Sequence, residues 1–235
     1  MKDRIRMLFP PLPRDRARVK LGEGDRVVLL HGLWRSVWAM EGMAKTLHQA
    51  GYETVSVPYA SFRKTMNEIV DDVAAELRGL EDGKKVHFVT HSMGGIVARH
   101  LADRYPELVT GRLVLLAPPN QGSEIIDWLD SFPLKPLAHF AFGPGGMGLG
   151  TEIVRNGVPG FSEDHEVAVV MGRQRTVPFF SSMLEGEHDG IVSAEGGKVE
   201  GMSEFRVVDG DHTFLMAEDE VRLQVLNYLQ EGRLD

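Results

Sequence analysis

The sequence predicts one α/β domain over residues 1–235, with a mostly parallel, twisted sheet and helices on both faces. A chain of 235 residues can bury a substantial core, and its hydrophobic fraction of 43% and charged fraction of 26% are ordinary for a globular protein. Short apolar segments alternate with amphipathic helical segments, which is the pattern of parallel strands joined by helices. Several of the apolar segments end in turns that carry Ser, Asp or His, the place where such sheets hold functional groups.

The first elements follow a basic, proline-broken arm over residues 1–20. The apolar run 26–30 predicts a fully buried strand that ends in His31-Gly32. An amphipathic helix is predicted over 37–50, and Gly51 closes it as a C-terminal cap.

Two further strand–helix pairs are predicted next. A strand over 53–57 precedes a helix that opens on a capping box formed by Thr65 and Glu68. The apolar face of this helix carries Ile69, Val73, Leu77 and Leu80. A strand over 85–89 then leads into a helix over 94–105.

The alternating pattern breaks after a buried strand over 112–116. From about 125 to 163 the chain is rich in Gly, Pro and bulky apolar residues, with neither strand alternation nor a long helical pattern. A segment of this kind is more often a lid or binding loop than a connector, so residues from about 120 to 165 are predicted to be a cap or lid insertion. The strand pattern resumes at 167–171 and 205–208. A last amphipathic helix places four apolar residues on one face: Val221, Val225, Tyr228 and Leu229.

Composition excludes several classes of function. A net charge of −8 argues against a nucleic-acid partner, and the absence of cysteine excludes disulfides and thiolate chemistry. His31, His91 and His188 lack the spacing of metal ligands, so we predict no metal site and no cofactor. The glycine-rich segment 143–150 follows no strand and opens no clear helix, which favours lid flexibility over nucleotide binding.

The sequence also carries no targeting pattern. No apolar run reaches the roughly 18 residues that a membrane span needs, so no span is predicted. The first 18 residues lack the apolar core of a signal peptide, and we therefore expect a cytoplasmic location. Nothing in the pattern indicates an oligomeric state.

The segment 86–95 gives the strongest indication of chemistry. It runs from an apolar strand through Ser92 directly into a helical pattern. A serine on such a turn points its hydroxyl over the sheet, with a backbone N–H beside it that can bind an oxyanion. An ordinary turn with Ser92 as a helix cap is the alternative, and Thr90 stands where a G-x-S-x-G motif has its first glycine.

A nucleophilic serine needs a base, and the base needs an orienting acid. His212 is the better base, because it follows a strand through a short Gly-containing turn. His188 is less suitable, because it is adjacent to Asp189, the best candidate for the acid, and neighbouring side chains in an extended loop tend to diverge. A surface loop histidine is the alternative for His212, and Asp211 beside it could equally be a helix cap.

Asp189 is the better acid than Glu185, Glu187 or Glu195, because Ile191 and Val192 behind it can anchor the loop. A simple turn at Asp189-Gly190 is the alternative. The oxyanion donors are predicted to be the backbone N–H groups of Met93 and Leu33. Residues predicted to line an acyl pocket are Trp34, Trp128, Phe132, Met147, Leu149 and Phe214. Core packing is the alternative for all of them except Trp34, whose place beside the predicted oxyanion loop brings it near the site.

These motifs resemble the bacterial lipase/esterase branch of the α/β-hydrolase superfamily. The matching segments are His31-Gly32, His91-Ser92-Met93-Gly94-Gly95, the run from Ala117 to Ser123, Asp189-Gly190-Ile191-Val192 and Asp211-His212. The resemblance extends over about 27–229 and implies an α/β-hydrolase fold. It also implies that Ser92 is the nucleophile, Asp189 the acid and His212 the base. The insertion is short beside the lids of triacylglycerol lipases, which argues against long-chain lipid specificity.

The sequence therefore predicts a serine hydrolase that cleaves carboxylic esters through an acyl-enzyme. Its partner is expected to be a small-molecule ester or lipid with a short to medium acyl chain. An acyltransferase with the same triad is one alternative. A non-catalytic binding protein that uses residues 125–163 as a ligand lid is another.

Overall fold

The computed structural model describes residues 2–10, 15–80, 82–131, 135–174, 184 and 186–235. Within these residues lies one seven-stranded sheet with the strand order β1-β3-β2-β4-β5-β6-β7. The strands are β1 (Arg18–Lys20), β2 (Arg26–Leu30), β3 (Glu53–Val57), β4 (Val86–His91), β5 (Leu113–Leu116), β6 (Val167–Gly172) and β7 (Glu204–Val208). β1 pairs antiparallel with β3, and every other neighbouring pair is parallel. The predicted mostly parallel sheet is confirmed.

The described helices connect these strands. They are α1 (Lys2–Met7), α2 (Glu41–Gln49), α3 (Met66–Arg78), α4 (Met93–Arg104), α5 (Glu124–Ser131), α6 (Lys135–Met147), α7 (Thr151–Gly157) and α8 (Asp219–Glu231). Short 3₁₀ turns are formed by Val37–Met40, Pro106–Leu108, Glu195–Gly197 and Leu215–Ala217. Strands β2 to β6 are buried along almost their whole length, since helices cover both faces of the sheet.

The capping box at the start of α3 forms as the sequence predicts. Thr65 Oγ1 accepts a hydrogen bond from the Glu68 N–H, and the Glu68 carboxylate accepts the Thr65 N–H. Two backbone donors that the helix leaves unpaired are thereby satisfied.

The sequence predicts a lid or binding loop without a long helix over residues 125–163, whereas the short helices α5, α6 and α7 occupy most of the described part of this segment. These helices are short, and Gly143 interrupts the middle one with φ of 64° and ψ of 179°. A Cβ at Gly143 would overlap the Phe62 carbonyl oxygen, so only glycine fits here. The breaks between short helices remove the long apolar period that sequence analysis relies on.

The N-terminal arm contains two elements that the sequence analysis did not identify, α1 and the edge strand β1. The arm is held by cations over one aromatic ring: the guanidinium carbon of Arg18 lies 4.0 Å from the centroid of Trp38, and that of Arg6 lies 5.5 Å away. Across the described ranges, no helix combines the length and apolar character needed to cross a bilayer.

Candidate active site

The turn between β4 and α4 places Ser92 at the carboxyl edge of the sheet. Ser92 has a left-handed φ of 53° with ψ of −122°, and its N–H donates to the Leu116 carbonyl at 2.8 Å. Trp34 and Ala117 are the other described non-glycine residues with positive φ, and they follow β2 and β5. Strained backbone at the ends of three neighbouring strands is typical of functional sites, because it must be held by the surrounding structure.

Gly94 permits the close approach of α4 to the carboxyl end of β2. A Cβ at this position would lie 2.7 Å from the Leu30 carbonyl oxygen and 3.0 Å from that of His31. Both contacts are to backbone atoms, which cannot rotate away. Thr90, which replaces the usual first glycine of the motif, is fully buried at the end of β4 and is accommodated between Leu30 and Leu115 on the neighbouring strands.

Ser92, His212 and Asp189, predicted from three separate loops, meet in one hydrogen-bonded chain. Ser92 Oγ lies 3.0 Å from His212 Nε2, and His212 Nδ1 lies 2.7 Å from Asp189 Oδ2. A carboxylate oxygen can only accept, so Nδ1 carries the ring proton and Nε2 is left to accept from the serine hydroxyl. This is the arrangement that lets an imidazole remove a proton from a serine.

The second oxygen of Asp189 is also fully engaged. Asp189 Oδ1 accepts the N–H groups of Ile191 at 3.0 Å and Val192 at 2.8 Å, and its side chain is completely buried. The His212 N–H donates to the Asp189 carbonyl oxygen at 3.2 Å, which joins the two loops through their backbones. The carboxylate is therefore fixed in one orientation toward the imidazole.

The neighbouring acidic and basic residues have structural contacts instead. Asp211 Oδ1 accepts the N–H groups of Thr213 at 2.8 Å and Phe214 at 3.1 Å, so it caps the turn after His212. His188 is buried, and its Nδ1 accepts the Gly190 N–H at 3.1 Å. Among the described residues, no group of three or more His, Asp or Glu side chains could hold a metal ion.

Two further buried histidines lie behind the site. His31 stacks on Tyr59 with ring centroids 4.0 Å apart, and burial lowers its pKa to about 4. His91 precedes the serine, and its Nε2 donates to the His212 carbonyl oxygen at 2.8 Å. Burial lowers the pKa of His91 well below its ordinary value, and the charges of His212 and Arg35 act in the same direction. Both rings are neutral at physiological pH.

The His91 contact leads to a prediction about the position of His212. His91→Phe keeps an aromatic ring but removes the donor, leaving a carbonyl unpaired and the His212 loop less constrained. We expect kcat for ester hydrolysis to fall about tenfold, with KM changed much less. His91→Gln restores an N–H donor and should recover most of kcat. Steady-state kinetics of the two variants check this, and equal losses in both would contradict a role for the hydrogen bond.

The two predicted oxyanion donors follow two neighbouring strands, β2 and β4. Met93 is the first residue of α4, where helix N–H groups have no partner within the helix, and Leu33 lies in the turn after β2. Within the described ranges, neither N–H donates a hydrogen bond to the protein. The Trp34 N–H, by contrast, donates to Ser61 Oγ at 3.2 Å. Leu33 and Met93 thus have the available donors.

A cavity of about 350 Å³ opens over the serine. Its polar lining includes Arg35, Ser92, Ser123 and His212. Its apolar lining includes Leu33, Trp34, Pro119, Ile125, Ile126, Phe142, Leu149, Ile191 and Val192. Residues of α5 and α6 and of the turn before α7 supply part of this wall, and the Phe142 ring on α6 lies 6.3 Å from that of Trp34.

Only some of the residues predicted to line an acyl pocket are among the described lining residues of this cavity. Trp34 and Leu149 line the cavity, whereas Trp128, Met147 and Phe214 are not among its described lining residues. Phe214 is partly buried beneath the Arg4 guanidinium, whose carbon lies 5.3 Å from the ring centroid. Phe132 lies outside the described residues. Sequence analysis did not identify Arg35 or Phe142 as lining residues, because their position depends on how distant segments pack.

Solved structures with this fold include lipolytic enzymes. A lipase of Bacillus licheniformis in its mature form superposes with a TM-score of 0.75 at 20% identity, covering 93% of this chain and 98% of the lipase. A metagenomic carboxyl esterase superposes with a TM-score of 0.69 at 20% identity, covering 86% of this chain and 69% of the esterase. At 20% sequence identity, these superpositions show a shared fold.

A curated relative from Comamonas testosteroni, a 2-hydroxy-6-oxononadienedioate/2-hydroxy-6-oxononatrienedioate hydrolase, is 30% identical over 127 residues. The match covers 49% of this chain and 44% of the relative, so the chain spans less than half the relative's length. A model of the alpha/beta hydrolase family matches residues 27–221, which include strands β3 to β7 and all of β2 except Arg26. The predicted fold is confirmed, and the chain belongs to the alpha/beta hydrolase family.

Proposed function

We propose that the protein is a serine hydrolase that cleaves carboxylic esters of short to medium acyl length. The observation that carries this proposal is the hydrogen-bonded chain from Ser92 through His212 to Asp189, which opens into a mostly apolar cavity. The carboxyl esterase and the lipase that share the fold are named for ester chemistry, which supports the same choice.

In the acylation step, Ser92 Oγ attacks the ester carbonyl as His212 Nε2 takes the hydroxyl proton. The N–H groups of Leu33 and Met93 hold the oxyanion that forms on the carbonyl oxygen. When the tetrahedral species collapses, the bond between the carbonyl carbon and the alkoxy oxygen breaks. His212 then gives its proton to the leaving alcohol, and the acyl group stays on Ser92.

Deacylation repeats these steps with water as the nucleophile. His212 Nε2 removes a proton from water, the hydroxide oxygen bonds to the acyl carbon, and the carbon–Oγ bond breaks. The proton returns to Ser92 and the free acid leaves. Throughout the cycle, Asp189 stabilises the imidazolium form of His212 and keeps the ring in the productive tautomer.

We further propose that residues from about 120 to 165 form the cap of the acyl site. Ile125, Ile126, Phe142 and Leu149 from this segment face the cavity over Ser92. A volume of about 350 Å³ is near the small end of the range for ligand pockets, which favours short to medium chains over long ones.

A series of p-nitrophenyl esters from acetate to palmitate tests this function. We expect kcat/KM to peak between butyrate and octanoate and to fall steeply toward palmitate, because the cavity cannot enclose the longer chain. A maximum at palmitate would contradict the proposed size of the acyl site. Turnover of a 2-hydroxy-6-oxo-dienoate with no turnover of any ester would contradict ester hydrolysis itself.

A further inference from the structure

One charged side chain enters the lining of the cavity over Ser92. Arg35 lies in the turn that follows β2, and its N–H donates to the Gly32 carbonyl oxygen at 3.2 Å to close that turn. The preceding residue, Trp34, has a left-handed φ of 61° and is held through its N–H by Ser61. Two successive backbone N–H groups, those of Trp34 and Arg35, therefore fix the turn that carries Arg35.

The Arg35 guanidinium is partly buried and has no counter-charge in the described structure. No described carboxylate lies within ion-pair distance of it, and its side chain donates no hydrogen bond to a described residue. Other buried guanidinium groups are compensated: Arg26 Nε lies 2.6 Å from Glu53, and Arg99 donates to the Asn120 carbonyl oxygen at 2.9 Å. A guanidinium partly removed from water without such partners is a ready site for an anion.

The described part of the cavity lining supplies no counter-charge to Arg35. The described residues that line the cavity include no Asp or Glu, and Asp189 is fully buried behind His212. Burial lowers the pKa of both His31 and His91, and the charge of Arg35 acts in the same direction on each, whereas the Asp15 carboxylate raises the pKa of His31. Arg35 and His91 both line the cavity, and the guanidinium gives the cavity a positive charge in a chain whose net charge is −8.

We propose that Arg35 makes the site selective for esters that carry a carboxylate, which pairs with the guanidinium while the ester carbonyl lies at Ser92. This rests on the proposed ester hydrolysis and names its substrate class. The apolar walls would hold the methylene chain between the two polar ends. The guanidinium fork would accept the two carboxylate oxygens.

Two substrates with the same leaving group and chain length test this selectivity. Mono-p-nitrophenyl adipate differs from p-nitrophenyl hexanoate only in having a terminal carboxylate where the other has a methyl group. We expect the wild-type kcat/KM for the adipate to equal or exceed that for the hexanoate. Arg35→Gln should lower the adipate-to-hexanoate ratio roughly 10- to 100-fold, mainly through KM for the adipate, and Arg35→Lys should recover part of it.

The matched control is Arg63→Gln, which removes an exposed positive charge outside the cavity lining. The Arg63 guanidinium lies over the Phe62 ring, 5.3 Å from its centroid, and this variant should leave the ratio unchanged. An unchanged ratio in Arg35→Gln, or an equal fall in Arg63→Gln, would overturn the proposal. Hydrolysis of p-nitrophenyl hexanoate by the wild type tests the proposed ester hydrolysis independently of Arg35.

A binding measurement separates this proposal from the proposed function when no ester is turned over. Isothermal titration calorimetry of the wild type and Arg35→Gln with hexanoate and with neutral hexanamide measures recognition of the carboxylate without any catalytic step. We expect the wild type to bind hexanoate at least about tenfold more tightly than the amide, and Arg35→Gln to lose this difference. Equal affinity of the wild type for both ligands would overturn the assignment of Arg35.

Discussion

Ser92→Ala is expected to lower kcat for p-nitrophenyl butyrate by at least about 10⁴-fold. The variant removes the only described hydroxyl that is hydrogen-bonded to His212 Nε2, so no acyl-enzyme can form. Steady-state rates above the buffer blank measure the loss. Residual activity should reflect only binding and the oxyanion donors, which do not need the nucleophile.

Ser123→Ala is the matched control for this prediction. Ser123 lines the same cavity, but its Oγ accepts the Ile126 N–H at 3.4 Å instead of contacting His212. We expect its kcat to stay within a few-fold of the wild type. If Ser92→Ala kept the wild-type rate, or if Ser123→Ala lost as much, Ser92 would not be the nucleophile.

Asp189→Asn is expected to lower kcat by about 10³- to 10⁴-fold while the fold is retained. The side-chain oxygen of the asparagine would accept the N–H groups of Ile191 and Val192, as Asp189 Oδ1 does. Its NH₂ group would then face His212 Nδ1 and donate to it. The imidazole proton would move to Nε2, which could no longer accept the proton of Ser92.

Asp211→Asn tests whether the loss is specific to the buried acid. Asp211 lies beside His212 in the sequence, but it accepts two backbone N–H groups that an asparagine oxygen can accept equally well. We expect kcat within about threefold of the wild type. The measurement is kcat for both variants, together with the far-UV circular dichroism spectrum as a check on folding. Similar losses in the two variants would contradict the assignment of Asp189.

The sequence was sufficient to predict how Ser92, Asp189 and His212 come together. Each follows a strand of a parallel sheet, and the carboxyl ends of parallel strands lie at one edge, so residues that follow these strands can lie close together. Strands β2, β5 and β6 were predictable because they are nearly continuous apolar runs buried on both faces of the sheet. The capping box was predictable because its two residues, Thr65 and Glu68, are only three positions apart in the sequence.

Other features depend on contacts between segments that are distant in the sequence, so the local residue pattern does not predict them. The contact from His91 to the His212 carbonyl joins residues that are 121 positions apart. β1 has three residues, too few to show a period, and exists because it pairs with β3. The helices around the kink at Gly143 are too short for a sustained apolar stripe. For the same reason the sequence did not show which aromatic residues face the cavity or that Arg35 enters it.

Reaction with a fluorophosphonate tests the central claim most directly, because only an activated serine attacks this reagent rapidly. The tryptic peptide 86–99 contains Ser92 as its only serine, so peptide mass spectrometry can locate the adduct. We predict one adduct per chain, on Ser92, with the reaction greatly slowed in His212→Ala. An unlabelled chain, or an adduct that forms at the same rate without His212, would contradict a nucleophile activated by this histidine.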